Sequence, residues 1–120
     1  MKFMLIIAHG DEFTPTQELV GAIHEWISEN AHVGVRIHGN PLQPAATATT
    51  VRIRDGRQQV VAGPFSRSNE QMCAYELVEC ASMDAAVRLA LTHPMAKAAT
   101  IEVRPIWPEL AVGQAVSSAV

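Results

Sequence analysis

Hydrophobic positions run without interruption through the first strand-like segment of the chain. Phe3–Ala8 is apolar on both phases of a period-two pattern, which predicts a central β-strand covered on both faces. A helix start follows, with Thr14 as a hydroxyl N-cap, Pro15 at the first helical position and Gln17 three residues after the cap. Beyond it, apolar side chains recur at helical spacing in one stripe: Leu19, Val20, Ile23, Trp26 and Ile27.

The middle of the chain has the alternation that is typical of strands. Val33–His38 predicts a second strand, and Asn40-Pro41 together with Pro44 predicts a break after it. Thr47–Ala62 predicts a β-hairpin, because apolar and polar residues alternate before Asp55-Gly56, a strong two-residue turn signal.

The second half of the chain repeats the order strand, helix, strand. Met72–Cys80 predicts a half-polar strand, and Thr100–Arg104 predicts the last strand. Between them, Ser82 is expected to cap a helix that ends at His93-Pro94. The predicted apolar face of this helix consists of Met83, Ala86, Val87, Ala90 and Leu91. Residues 1–108 are therefore expected to form one domain, and residues 109–120 a tail or an arm lying on a partner subunit.

The order of predicted elements indicates an α+β fold. It matches a ferredoxin-like βαβ-βαβ subunit with an inserted β-hairpin. Two helices can cover only one face of such a sheet, whereas Phe3–Ala8 is apolar on both faces. A second copy of the sheet is the simplest cover for the other face, so we expect a homodimer.

Composition and charge narrow the range of partners. The chain has 120 residues, of which 48% are hydrophobic, and its formal net charge is −3. The high hydrophobic content argues against disorder, and the negative net charge argues against electrostatic binding of nucleic acid. The first strand-like run, Lys2–Ala8, is too short for a membrane span or for the apolar region of a signal sequence, so a cytoplasmic location is expected. Cys73 and Cys80 lie in one predicted strand, too far apart to bridge each other, which favours free thiols.

Several short motifs taken together resemble the YCII-related family, in particular its DGPF-type branch. The segment Met1–Glu12 fits this pattern, and the resemblance extends to about residue 108. The motifs that carry it are Asn40-Pro41-Leu42-Gln43-Pro44, the run from Ala46 to Gly56, Gly63-Pro64-Phe65, Asn69-Glu70-Gln71 and Glu102-Val103-Arg104-Pro105-Ile106.

The resemblance implies a dimeric α+β barrel, in agreement with the dimer expected from the sheet. The family's function is mostly unassigned. Some relatives are encoded beside sigma factors or fused to them, and some members of the wider superfamily are cofactor-free enzymes with a His-Asp pair. In this chain, Ala62 stands where the DGPF motif has its aspartate.

Four residues are candidates for acid/base chemistry: His24, His93, His9 and Asp11. In the enzymatic relatives a histidine of the first helix faces an acid that precedes a proline, and the matching positions here are His24 and His93. His93 can share a proton with His24, or bind an anion when protonated. His24 can equally be a partly buried histidine that is bonded to a backbone carbonyl, or a metal ligand. His9 and Asp11 end the first strand near a pocket mouth, where loop solvation explains them equally well.

Arg52, Arg54, Arg104 and Phe65 are candidates for ligand binding. The three arginines fall on the polar phases of their strands, where they either pair with Glu76 and Glu102 or hold a ligand carboxylate. Phe65 is expected to form an aromatic plug after a turn, or one wall of a cavity. No HxH or HExxH spacing is present, so neither a metal nor a cofactor is predicted.

Two functions follow from these patterns. The first is a small dimeric module that holds a small organic ligand, or serves as an accessory to transcriptional regulation. The second is a cofactor-independent lyase, hydrolase or isomerase that uses histidine acid/base catalysis on a small organic substrate, for which an aromatic or carbonyl compound is expected. The missing acid before Pro94 and the alanine at position 62 favour the first.

Overall fold

A four-stranded antiparallel sheet forms the body of the protein. The computed structural model describes residues 1–108, so the predicted tail or arm at 109–120 lies outside the described residues. The elements are β1 (Lys2–His9), α1 (Gln17–His32), β2 (Arg36–Pro41), β3 (Thr49–Arg54), β4 (Arg57–Ala62), β5 (Gln71–Glu79), α2 (Met83–Thr92), α3 (Met95–Ala98) and β6 (Thr100–Pro105). The main sheet has the order β2-β5-β1-β6, and β3 and β4 form a separate two-stranded sheet. The predicted α+β class is confirmed.

The core lies on one face of β1. Phe3, Leu5 and Ile7 on that face are almost fully buried, and Phe3 and Leu5 belong to a cluster with Trp26 of α1 and Ala86 of α2. The alternate residues of β1, by contrast, are only half-buried, as expected if both helices lie on the same side of the sheet. The central-strand prediction for this segment is confirmed, and its second face remains open in the single chain.

Helix α1 begins later than the sequence pattern predicted. Thr16 is the N-cap, and its hydroxyl accepts a hydrogen bond from the backbone N–H of Leu19 over 3.1 Å. The prediction of Thr14 as the cap was wrong, because Pro15 precedes the cap residue rather than following it. Two threonines flank the single proline of this stretch, and the local pattern does not show which of their hydroxyls caps the helix.

The second strand begins later than predicted, because α1 and its C-terminal cap occupy the residues before it. Gly34 has a φ of +77°. Its N–H donates to the carbonyl of Ala31, and the N–H of Val35 donates to the carbonyl of Asn30, which is a Schellman cap. The helix therefore extends to His32, and β2 begins only at Arg36 instead of Val33.

Strand β2 continues through the residues that were predicted to break it. Asn40 and Pro41 are its last two residues, and they pair with Tyr75 and Ala74 of β5. Because β2 is an edge strand, the missing N–H of Pro41 costs no ladder hydrogen bond on the outer side. An irregularity in the register between Arg36 and His38 bends the start of the strand.

The predicted hairpin forms, and it stands apart from the main sheet. Asp55 and Gly56 both have positive φ, 52° and 73°, as a type I′ turn requires. Every residue of β3 and β4 except Thr50 is exposed. One face carries mostly apolar side chains, with Val51 and Val60 opposite each other and both about 70% exposed.

The second helix is capped as predicted but packs on a narrower face. The Ser82 hydroxyl accepts from the N–H of Ala85 over 3.1 Å. Of the predicted apolar face, only Ala86 and Ala90 are buried, and Leu91 is 69% exposed. The small alanines allow close approach to the sheet, which turns the larger side chains Met83, Val87 and Leu91 outward. None of the helices within residues 1–108 has the length and apolarity needed to cross a bilayer.

Candidate functional site

A cavity of about 430 Å³ lies between α1 and the covered face of the sheet, close to the end of α2. Its size is within the range of small-molecule sites. Five of its lining residues are polar or charged, namely His9, His24, Arg36, Glu76 and His93. The rest of the wall is almost entirely apolar, and it includes Ile7, Phe13, Leu19, Ile23, Ile27, Leu42, Ala74 and Met95.

A buried ion pair forms part of the cavity wall. Arg36 of β2 donates from Nε to Oε2 of Glu76 on β5 over 2.7 Å, and from Nη2 to Oε1 over 3.3 Å. The side chains are 15% and 5% exposed, so both charges are largely removed from water. Nη2 also donates to the carbonyl of Gly39 over 3.0 Å. These additional hydrogen bonds offset part of the cost of burying the two charges.

Gly39 provides the space that this ion pair occupies. A Cβ at this position would lie 2.8 Å from Nη2 of Arg36 and 2.5 Å from the backbone carbonyl oxygen of Tyr75, and it would collide with Oε1 of Glu76. Gly39 pairs with Glu76 across β2 and β5, so its missing side chain faces the carboxylate directly. The glycine is thus required by close packing rather than by an unusual φ.

His93 is the most buried histidine of the cavity. It is 2% exposed and caps the end of α2, and its ring lies 4.5 Å from that of Trp26. Its Nδ1 accepts a hydrogen bond from the backbone N–H of Met95 over 3.0 Å, which places the ring proton of the neutral form on Nε2. Burial, and to a smaller extent the charge of Arg36, together lower the pKa of His93 from 6.5 to about 4.

These features correct one interpretation of His93. It was expected to share a proton with His24 or to bind an anion when protonated. At neutral pH, however, its pKa of about 4 keeps the imidazole uncharged, and Nδ1 is already engaged by a backbone donor. His93 is therefore a neutral hydrogen-bond donor through Nε2.

His9 has the opposite arrangement at another part of the same cavity. Its Nδ1 lies 2.9 Å from the carbonyl oxygen of Gly10. A carbonyl only accepts, so Nδ1 donates and the lone pair of the neutral ring is on Nε2. The ring stacks on Phe13 with 4.4 Å between centroids, which fixes its orientation. His9 can thus accept a proton, whereas His93 can donate a hydrogen bond.

The remaining acid/base candidates differ in position. His24 is exposed and lines the cavity, and its side chain makes no hydrogen bond to residues 1–108, so the alternative of a partly buried histidine bonded to a backbone carbonyl was wrong. Asp11 does not line this cavity. It lies in an adjoining surface depression that it shares with His9, and its backbone N–H faces Oδ1 of Asn69 at 3.5 Å. His9, His24 and His93 therefore line one cavity, and Asp11 lies outside it.

The predicted ligand-binding residues lie outside the cavity. Arg52 and Arg54 are exposed on the hairpin, and no carboxylate among the described residues forms a salt bridge with either. Arg104 pairs with Glu102 of its own strand on the surface. Phe65 is 82% exposed and does not plug the core of the single chain, but it lines a separate surface depression beside Pro64, so its alternative role as a cavity wall stays a prediction. The expected pairing of these arginines with Glu76 was also wrong, because Glu76 faces the helices.

The sequence interpretation missed Arg36 and the true role of Glu76. Glu76 shares its strand phase with Val78, and Val78 is fully buried. An acid in phase with a core valine was therefore the available signal that its carboxylate faces inward and needs a cation. Arg36 carried no such signal, since it lies within the predicted strand Val33–His38 between the apolar residues Val35 and Ile37, a pattern that favours an outward-facing polar side chain.

The thiol of Cys73 also lies on the cavity wall. Burial raises the pKa of the Cys73 thiol, which lines the cavity, so it remains protonated rather than nucleophilic at neutral pH. Cys73 and Cys80 are both free thiols. Within residues 1–108, no group of three or more His, Cys, Asp or Glu side chains is arranged to hold a metal ion.

The fold and this site define a small α+β domain in which a cavity lies between the first helix and an antiparallel sheet. The family model of the YCII-related domain matches residues 1–110, and the chain belongs to this family. It is also similar to an uncharacterized protein of Rhizobium meliloti (strain 1021), with 36% identity over 67 residues. The match covers 54% of this chain and 54% of that relative, so the chain spans about half the length of the relative that it matches.

Proposed function

We propose that this protein is a homodimeric YCII-related module that binds a small organic ligand in the cavity between α1 and the sheet. The observation that carries the proposal is that one largely apolar cavity is lined by three histidines, His9, His24 and His93, and by the buried Arg36–Glu76 pair. A few oriented polar groups in an apolar wall are typical of small-molecule sites. We further propose that this module acts in the cytoplasm. The proposed link to transcriptional regulation is supported only by the family context, in which some relatives are encoded beside sigma factors or fused to them.

The open face of the sheet supports the homodimer. Met4 and Ile6 of β1 lie there beside Leu77 and Tyr75 of β5, and all four side chains are only half-buried in the single chain. Ferredoxin-like subunits that pair through this face would form the dimeric α+β barrel that the family resemblance implies. We also assign the chain to the DGPF-type branch, with Ala62 in place of the aspartate.

An acid/base enzyme is the second candidate function. It is favoured by the complementary protonation of two histidines on the same cavity, since His9 presents a lone pair and His93 an N–H. A base and a hydrogen-bond donor on one substrate are the minimum for a cofactor-independent lyase, hydrolase or isomerase. In this role, His24 at the mouth would relay protons to solvent.

A ligand screen tests the binding function directly. A library of small organic compounds is added to the full-length protein, and the thermal unfolding midpoint is measured, since a ligand that binds the native state raises it by mass action. Ala74→Leu fills part of the cavity and should abolish the shift caused by any genuine ligand. His32→Ala is the control, because His32 is exposed on α1 and does not line the cavity. Shifts that survive Ala74→Leu would place binding elsewhere.

A further inference from the structure

The polar end of the cavity offers hydrogen-bond donors that the protein itself does not use. Nε2 of neutral His93 carries a proton, and no acceptor for it is present within residues 1–108. Nη1 of Arg36 likewise makes no hydrogen bond to the described part of the chain, whereas Nε and Nη2 are engaged by Glu76 and Gly39. Among the described residues no fully buried side-chain nitrogen or oxygen lacks a hydrogen-bond partner, so both of these nitrogens reach solvent at the cavity. Their N–H groups are therefore open to an acceptor on a ligand.

The charge balance of this end restricts which acceptor fits. The positive charge of Arg36 is matched by the carboxylate of Glu76, and His93 is neutral. The three groups therefore sum to no net charge. Burying a ligand carboxylate beside them would add an uncompensated negative charge next to Glu76, which is strongly unfavourable in an apolar enclosure. A neutral oxygen acceptor avoids this cost and still satisfies the donors.

We infer that the ligand carries a neutral carbonyl group whose oxygen accepts the Nε2–H of His93, with Nη1 of Arg36 as a second donor, while its apolar body occupies the wall formed by α1 and β5. The inference rests on the proposed binding function and adds the class of ligand to it. The hydrogen bond from Met95 to Nδ1 is what assigns this role to His93, because it holds the imidazole in the Nε2–H tautomer. His93 is then an orienting donor and not a base.

Three matched probes test the ligand class: acetophenone, ethylbenzene and benzoate. They share one aromatic ring and differ in carrying a neutral carbonyl, no polar group or a carboxylate, and all three are smaller than the cavity. Affinities are measured at pH 7 by NMR titration of the full-length protein. We expect acetophenone to bind at least tenfold more tightly than benzoate, since only the latter brings a charge to the neutral end.

Variants of His93 isolate the hydrogen bond from the hydrophobic contribution. In His93→Asn, the amide oxygen can replace Nδ1 as the acceptor for Met95, but no donor reaches the position of Nε2. We expect this change to weaken the binding of acetophenone about three- to tenfold, as for the loss of one net hydrogen bond. The affinity for ethylbenzene should stay within about twofold of the wild-type value. His93→Gln restores an N–H near Nε2 and should recover part of the loss. His32→Asn is the surface control.

The wild-type protein provides a test that does not depend on any variant folding. Long-range ¹H–¹⁵N correlation spectra should show His93 as the Nε2–H tautomer, and acetophenone should shift Nε2 more than Nδ1. The carbonyl inference would be overturned if His93→Asn lost equal affinity for acetophenone and ethylbenzene, or if benzoate bound the wild-type protein as tightly as acetophenone. Either result would still leave a ligand-binding cavity. If neither acetophenone nor ethylbenzene binds and the compound screen also gives no ligand, the binding function itself fails.

Discussion

Arg36 reaches from the edge strand β2 to Glu76 of the neighbouring strand β5, and the two side chains form a bidentate ion pair on the helix-covered face of the sheet. Such a pair contributes little net stability compared with apolar residues, but the loss of one partner leaves a buried charge unpaired. We expect Glu76→Gln and Arg36→Met each to lower the free energy of unfolding by about 3 kcal/mol. Urea denaturation measures the change.

The double variant Arg36→Met/Glu76→Leu is the matched control for that prediction. It removes both charges together, so it should be more stable than either single variant. Single variants that each cost less than about 1 kcal/mol would mean that the two charges remain hydrated in the native protein.

The glycine beside the ion pair provides the next prediction. Gly39→Ala would place a Cβ 2.5 Å from the carbonyl oxygen of Tyr75, a backbone atom that cannot move aside cheaply, and in collision with Glu76. We expect a loss of about 2 kcal/mol or more in the free energy of unfolding, as is typical of overpacked sites. In Gly21→Ala, the new Cβ would meet no atom within 4 Å on the exposed side of α1. This control should gain about 0.5–1 kcal/mol from helix propensity. Equal effects of the two changes would contradict the packing argument.

Protonation of His93 should make the protein less stable in acid. Its pKa is about 4 in the native state and 6.5 in the unfolded chain, so between these values the unfolded state binds more protons. Stability therefore rises with pH across this window and is lost as the pH falls from about 6.5 to 4. The difference corresponds to about 3 kcal/mol, at about 1.4 kcal/mol for each pKa unit.

Urea midpoints measured from pH 4 to pH 7 test this dependence. In His93→Gln the slope should flatten, because the titrating group is gone, even though the variant starts from a lower stability. His32→Gln removes an exposed histidine and should retain the wild-type slope. A wild-type protein whose stability is unchanged between pH 6.5 and pH 4.5 would show that His93 is not held neutral by its surroundings.

The sequence was sufficient to predict most elements, because strand alternation, helical stripes and the Asp55-Gly56 turn are local signals. Where it misled, the cause was either a register that local residues do not distinguish, as at Thr14 and Thr16, or a long-range contact. Gly34 was a usable helix-end signal that the strand interpretation overlooked. The three histidines of the site came from the pattern and the family resemblance. Arg36 could not be found, since its partner lies 40 residues away on another strand.

The last prediction concerns the open face of the sheet. Ile6 lies at the centre of that face, between Tyr75 of β5 and Glu102 of β6. If two copies pair through this surface, sedimentation of the wild-type protein at micromolar concentration should show a dimer. Ile6→Glu should shift it to a monomer with an unchanged circular dichroism spectrum, because a buried, unpaired carboxylate opposes association more than it disturbs a half-exposed site.

A charge placed away from this face separates the effect of position from that of net charge. Gln17→Glu adds the same charge at the exposed N-terminus of α1, where the helix dipole favours it, and should leave the dimer intact. A stable interface of ordinary size buries about 800 Å² on each subunit, which one face of a four-stranded sheet can supply. A wild-type chain that sediments as a monomer, with Ile6 open to water, would contradict the proposed homodimer.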